Sequence, residues 1–281
     1  MIARIFDFEL RQIIYLFQVS ACTVYFILLF NFLKNINHDR IFLLAIFTPI
    51  FILYPVAEIE VLARKEILVF SLYLIYLTVP KINYIKYFSF IFFLTLSILI
   101  WEPVVFYLPI FLLVEIIENN IDRFNFDFFK LILKFLPGVF LGIFIALNPL
   151  SSNQHDLMST VLKNEFGEIC YMSCELLKSK SSLIDQFVPL GAYTFERVIR
   201  YILIILIGFW PIFLLLKNSI LKTKEILFLK YFNNLLYPTL ISLMPVIVLF
   251  AMGYDWGRWV NVTCVFTSIF FFYLYQKKYI F

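Results

Sequence analysis

Three groups of charged side chains adjoin long apolar segments, and they are the residues best placed to do chemistry. The first is Glu58, Glu60, Arg64, Lys65 and Glu66 in PVAEIEVLARKE, the second is Glu102 in WEP, and the third is Asp255 and Arg258 in GYDWGRW. A charge beside an apolar run is costly unless it faces a cavity, a partner or the headgroup zone. Guanidinium and ammonium groups bind phosphate oxygens, arginine through two parallel hydrogen bonds, and a carboxylate can deprotonate a hydroxyl. On this reading Arg64, Lys65, Glu66 and Arg258 bind an anionic substrate, and Glu102 and Asp255 are the catalytic carboxylates. The competing reading makes all of them interfacial charges paired with one another, with Trp101, Trp256 and Trp259 as headgroup-level anchors. Asp255 and Arg258 lie three residues apart, so a local contact is expected, and Gly253 and Gly257 allow a tight turn.

Other chemistries lack their residues. Cys22 and Cys264 lie in apolar runs, and Cys170 and Cys174 form a lone C-x3-C without histidine partners, so no metal site is expected. The two cysteines one helical turn apart either share a disulfide, in an oxidising compartment, or are two small residues on one helix face. His38 and His155 are the only histidines, and the topology below puts them on opposite faces. His155 remains a candidate proton carrier. No phosphate-binding loop, H-E-x-x-H or G-x-S-x-G occurs, and no cofactor is implied. The net charge of +4 is small and its basic residues are scattered, so nucleic acid is not a partner.

The elements that must position these groups are membrane helices. Hydrophobic residues make up 63% of the 281 positions and charged residues 15%, against about 45–50% and 25% in soluble chains. The apolar residues fall in runs that do not alternate, which excludes a membrane barrel. Candidate spans are 13–32, 41–57, 67–79, 88–101, 104–117, 131–147, 201–216, 235–252 and 260–275. The sequence therefore predicts an all-α, polytopic transmembrane bundle of about nine helices, a single domain over 1–281. The runs at 67–79, 88–101 and 104–117 are short for a hydrocarbon core of about 30 Å. The stretch 88–117 is either one broken helix or a hairpin interrupted at Glu102–Pro103.

Lysine and arginine stay on the cytoplasmic side of short loops. With the C-terminus inside, Lys34, Arg40, Lys81, Lys86, Arg123, Lys130, Lys134, Lys217, Lys222, Lys224, Lys230, Lys277 and Lys278 are inside. Only Arg4, Arg11, Arg64, Lys65 and Arg258 are outside, apart from the polar loop 148–200. That loop is too short for its own core and is expected to pack on the membrane domain as short helices, best over 165–178 and 193–200. This topology puts all three charged groups and the long loop on the outer face.

The strings ARKEIL (63–68), WEPVVFYLP (101–109) and GYDWGRW (253–259) resemble a group of bacterial membrane proteins encoded among surface-polysaccharide genes. The resemblance implies an inner-membrane, multi-pass protein similar to O-antigen polymerases or multi-spanning glycosyltransferases, with a polyprenyl-phosphate-linked glycan and the lipid bilayer as partners. Where that resemblance leads one to expect His-Glu, this chain has Trp101-Glu102. The alternative is a non-enzymatic flippase or transporter of lipid-linked or other anionic substrates, which should carry ionisable groups near the membrane midplane.

Overall fold

The computed structural model describes residues 9–34, 36, 65–80, 83–148, 150–170, 187, 194–222, 226–252 and 256–280. Among them the chain is all-helical, apart from one bridged pair, Leu221 and Ile280. The helices are α1 Leu10–Leu33, α2 Glu66–Thr78, α3 Asn83–Ile100, α4 Leu108–Glu118, α5 Phe126–Leu133, α6 Leu136–Leu147 and α7 Ser152–Phe166. They continue as α8 Phe195–Asn218, α9 Leu236–Leu243, α10 Ile247–Met252 and α11 Trp256–Gln276. Four stretches are long and apolar enough to cross a membrane: Gln12–Leu33, Phe126–Leu147, Phe195–Asn218 and Trp256–Gln276.

The last of these is the least apolar of the four and yet 89% buried, whereas the other three are only 17–22% buried. In water that order would be reversed, because the most apolar helices would be hidden. In lipid it is the expected one: the outer helices meet hydrocarbon, and the polar groups turn inward. On α11 the inward groups are Asn261, Thr263, Thr267 and Ser268, all buried. This burial pattern is the strongest structural mark of a membrane protein.

The stretch 88–117 is a hairpin with Glu102 at its tip. Phe93 packs edge-on to Phe111 at 5.2 Å, and Lys86 pairs with Glu118 at 3.5 Å. The members of each pair are equally far from Glu102 on either side. A short 3-10 helix, Glu102–Tyr107, makes the turn, opened by Pro103 where the missing backbone donor costs nothing. Between the two ends lies an aromatic core in which Tyr73, Phe93, Phe111 and Phe266 meet at centroid distances of 5.1–5.7 Å. Gly138 and Gly142, one helical turn apart on α6, face the hairpin closely. A Cβ at Gly138 would lie 2.7 Å from Leu94, and one at Gly142 would lie 2.6 Å from Val105.

Several boundaries differ from expectation for local reasons. The run 235–252 is not one helix: Pro245 breaks it into α9, a 3-10 turn Met244–Val246, and α10. In the polar loop a helix, α7, runs over Ser152–Phe166; of the expected 165–178 it takes in only Glu165 and Phe166, Gly167–Cys170 are not helical, and 171–178 lie outside the described residues. Ser151 and Gln154 form a reciprocal capping box at its start, and Gly167, at φ 67°, ends it in the left-handed conformation. Thr194 caps α8, which begins at Phe195, so the expected helix at 193–200 is the first turns of a membrane-length helix. The candidate span 41–57 lies outside the described residues.

Candidate functional site

Three helix ends meet at one end of the bundle. Lys65 and Glu66 stand at the start of α2, Trp101 and Glu102 at the hairpin tip, and Arg258 and Trp259 in the first turn of α11. Arg258 donates its Nε–H to Glu66, a partner 192 positions away in sequence. Lys65 Nζ lies 3.6 Å from Glu102, with both side chains about half exposed. The second pair is therefore worth little in stability. Trp101 stacks on Trp259 at 6.0 Å with an interplanar angle of 22°, and the Arg258 guanidinium sits 5.4 Å from the Trp259 ring centre. Two polar atoms here are buried without a hydrogen-bond partner among the described residues: the Glu66 Oε2 acceptor and the Trp259 Nε1 donor. Glu66 is only 4% exposed, so its bare oxygen is a costly feature that a hydroxyl-bearing ligand would relieve.

Of the residues singled out from the sequence, Lys65, Glu66, Glu102 and Arg258 come together here. Arg64 and Asp255 lie outside the described residues, as do Glu58 and Glu60, and the expected Asp255–Arg258 contact falls with them. The ion pair that Arg258 makes with Glu66 joins two of the three groups across the fold, where the sequence pointed only to a local turn.

At the opposite end is a second ionic cluster that the sequence reading did not single out. Glu115, 1% exposed, accepts from the Tyr76 hydroxyl and from Lys134 Nζ at 2.8 Å. Lys86 pairs with Glu118 at 3.5 Å, donates to the Tyr76 carbonyl at 3.1 Å and lies 4.2 Å from the Tyr76 ring centre. Nearby, burial and then the Glu118 charge raise the Tyr279 phenol above its ordinary pKa. Lys86 and Lys134 entered the sequence reading only as markers of sidedness. The available signal was the spacing of Glu115 and Glu118, three apart on one face of an apolar helix.

The loop holds a third feature. His155 is buried, with Nε2 3.4 Å from Cys170 Sγ and Nδ1 3.5 Å from Asp156. Cys170 is disulfide-bonded, and its partner is outside the described residues, as is Cys174. Cys22 and Cys264 are free and buried. Among the described residues no group of three His, Cys, Asp or Glu side chains is placed to hold a metal ion.

Comparison with protein-family models, with curated proteins and with solved structures finds no match to the chain. The class is thus defined by the fold and its burial pattern: an α-helical membrane protein with an ionic and aromatic mouth at one end.

Proposed function

We propose that this chain is a multi-pass protein of a bacterial inner membrane that transfers or polymerises sugars carried on a polyprenyl phosphate, acting at the mouth formed by Lys65, Glu66, Glu102 and Arg258. The observation that carries this reading is the joining of the three charged groups around stacked Trp101 and Trp259, with a bare carboxylate oxygen and a bare indole N–H beside them. The two bare atoms are one acceptor and one donor, and hydroxyl groups, which donate and accept, can satisfy both. The resemblance of ARKEIL, WEPVVFYLP and GYDWGRW to proteins of surface-polysaccharide clusters supports the same class. Two features favour an outward-facing mouth. A disulfide at Cys170 suits an oxidising compartment on the side of the polar loop, and the lysine-rich segments fall at the other end of the helices.

In the reaction, Arg258 and Lys65 neutralise the phosphate-bearing leaving group. A donor phosphate competes with Glu66 for the Arg258 guanidinium, and the freed Glu66 oxygen accepts the proton of the acceptor hydroxyl. The hydroxyl oxygen then forms a bond to the anomeric carbon, and the carbon–oxygen bond to phosphate breaks, with its electron pair leaving on phosphate. Glu102, held by Lys65, and Asp255 are the other candidate carboxylates. Transfer of labelled sugar from a polyprenyl diphosphate donor by the purified protein tests this. Glu66→Gln and Glu102→Gln separate the two bases, and full transfer by both variants would remove carboxylate catalysis by these residues.

A flippase or transporter of anionic lipids is the second reading, and one observation favours it. Glu115, Glu118, Lys86 and Lys134 form a buried ionic set, the kind of group a carrier needs. It lies at one end of the bundle instead of at a repeat interface, which is why transfer stands first.

A further inference from the structure

The polar loop folds back on itself at the end of α7. Gly167 is left-handed there, its N–H bonds to the Lys163 carbonyl at 3.1 Å, and the Glu168 N–H bonds to the Leu162 carbonyl at 3.2 Å. This pair of bonds ends the helix and turns the chain off its axis. Cys170 then reaches His155, in the opening turns of the helix, about 16 Å from Phe166 at 1.5 Å per residue.

The contact joins a ring nitrogen to a disulfide. His155 Nε2 lies 3.4 Å from Cys170 Sγ, and Nδ1 lies 3.5 Å from Asp156 Oδ1. A disulfide sulfur carries no hydrogen, so Nε2 is the donor and its proton is aimed at the sulfur. The His155 side chain is 5% exposed and that of Asp156 63%, so the imidazole is held between a solvent-facing carboxylate and the sulfur. Cys170 itself is only partly buried, and the bond is not sealed in a core. While the disulfide is intact this donor does little, because a neutral sulfur is a weak acceptor. When the S–S bond breaks, the same N–H faces a leaving sulfur with a full negative charge.

We infer that the Cys170 disulfide is a thiol-exchange site, with Cys170 as the leaving sulfur and His155 as the group that gives it a proton. The inference does not rest on sugar transfer. The reductant is a dithiol. One of its sulfurs, as thiolate, attacks the sulfur bonded to Cys170; the S–S bond breaks, and its electron pair leaves on Cys170 Sγ, which takes the Nε2 proton. The second sulfur of the dithiol, again as thiolate, displaces the partner cysteine, which leaves as thiolate and takes a proton from water, and His155 regains its own from water. Two electrons and two protons pass to the chain, and the dithiol ends as a disulfide. Attack falls on the partner's sulfur because the better-stabilised thiolate leaves faster.

The test is reduction of the purified full chain in nanodiscs by dithiothreitol, with the oxidised fraction of Cys170 read over time by peptide mass spectrometry after alkylation. His155→Gln keeps a neutral N–H donor without a proton to give, and His155→Ala removes the donor as well. Alanine should slow reduction of the bond at least about tenfold, and glutamine should slow it by less. The sign separates this from a packing role, since a substitution that merely loosens the loop exposes the bond and speeds its reduction. A glutamine variant reduced as fast as the parent, or faster, overturns the inference whatever alanine does. In the reduced proteins, iodoacetamide at neutral pH should alkylate Cys170 faster in the parent than in His155→Gln, because the thiolate is the nucleophile. Equal alkylation rates would also overturn it.

Discussion

Replacing Lys134 by methionine isolates the energetics of the inner cluster. Its ammonium lies 2.8 Å from Glu115 Oε2, with the lysine side chain 14% exposed and that of the glutamate 1%. Methionine keeps most of the stem and removes only the charge, so the carboxylate is left with Tyr76 and Asn119 as hydrogen-bond donors and no direct cation. Removing one partner of a buried pair costs about 3–5 kcal/mol. Lys86, close enough to Glu115 to interact electrostatically, offsets part of the loss, so the expected cost is at the lower end, about 3 kcal/mol. That is on the order of 100-fold in the unfolding equilibrium. Both charges of the pair are absent in Lys134→Met/Glu115→Gln, which should recover most of the loss because no uncompensated charge stays buried.

Unfolding of the protein in mixed micelles, titrated with a denaturing detergent and followed by circular dichroism, measures both variants. A single interhelical hydrogen bond in a membrane protein averages only about 0.6 kcal/mol. A Lys134→Met cost at or below that value would show that the pair behaves as an ordinary hydrogen bond, and the argument from buried charge would fail. So would a double variant less stable than the single one.

Other outcomes follow from the same geometry. Gly142→Ala should cost about 1–3 kcal/mol in the same assay, since the new Cβ would meet a Val105 methyl carbon at 2.6 Å; an unchanged midpoint would mean that α6 can shift at no cost. Trp259→Phe removes the buried indole donor that lacks an acceptor, so it should lower sugar transfer with little loss of stability, and equal loss of both would make the ring purely structural. Exchange of the Arg258–Glu66 pair, Glu66→Arg with Arg258→Glu, should restore the stability lost by either single change without restoring transfer; recovery of both would reduce the pair to a salt bridge. Gln154→Cys should react with an impermeant maleimide added outside intact cells, and reaction only after the inner face is opened would reverse the topology.

Composition and run length were enough to read the all-α membrane class, because a bilayer rewards apolar runs whatever they pack against. The interruption at Glu102–Pro103 left two options open, and the facing of Phe93 with Phe111 and of Lys86 with Glu118 shows the hairpin. Residue types also flagged Lys65, Glu66, Glu102 and Arg258, since an ionisable group at the end of an apolar run stands out in one dimension. Their pairing did not. Glu66 and Arg258 are 192 positions apart, and nothing in a linear string ranks that partner above Asp255. The inner cluster was hidden for the opposite reason: Glu115 and Glu118 sit within an apolar run that reads as a span, and their lysines read as topology markers. The G-x-x-x-G of Gly138 and Gly142 was available as a signal of close helix approach. In the polar loop, the serine cap at Ser151 and the glycine stop at Gly167 mark the two ends of α7 in the sequence itself.

Helix length explains why two charged layers are tolerated in one bundle. Helix α2 has 13 residues and is about 20 Å long, whereas α1 and α8 have 24 residues each and reach about 36 Å. A 30 Å hydrocarbon core fits the long helices and overhangs the short one. Glu66 opens α2 and Tyr76, the contact of Glu115 and Lys86, lies near its end, so the two ionic layers are only about 15 Å apart. Facing lipid at that depth, such charges would cost several kcal/mol each. They do not face it: Glu66, Lys86, Glu115 and Glu118 are all at most 8% exposed, with protein around them and their opposite charges within the same layer. At the mouth, Glu102 and Lys65 are about half exposed, so that layer is within reach of whatever wets the surface, whereas the inner layer, with Lys86, Glu115 and Glu118 buried, is closed to it.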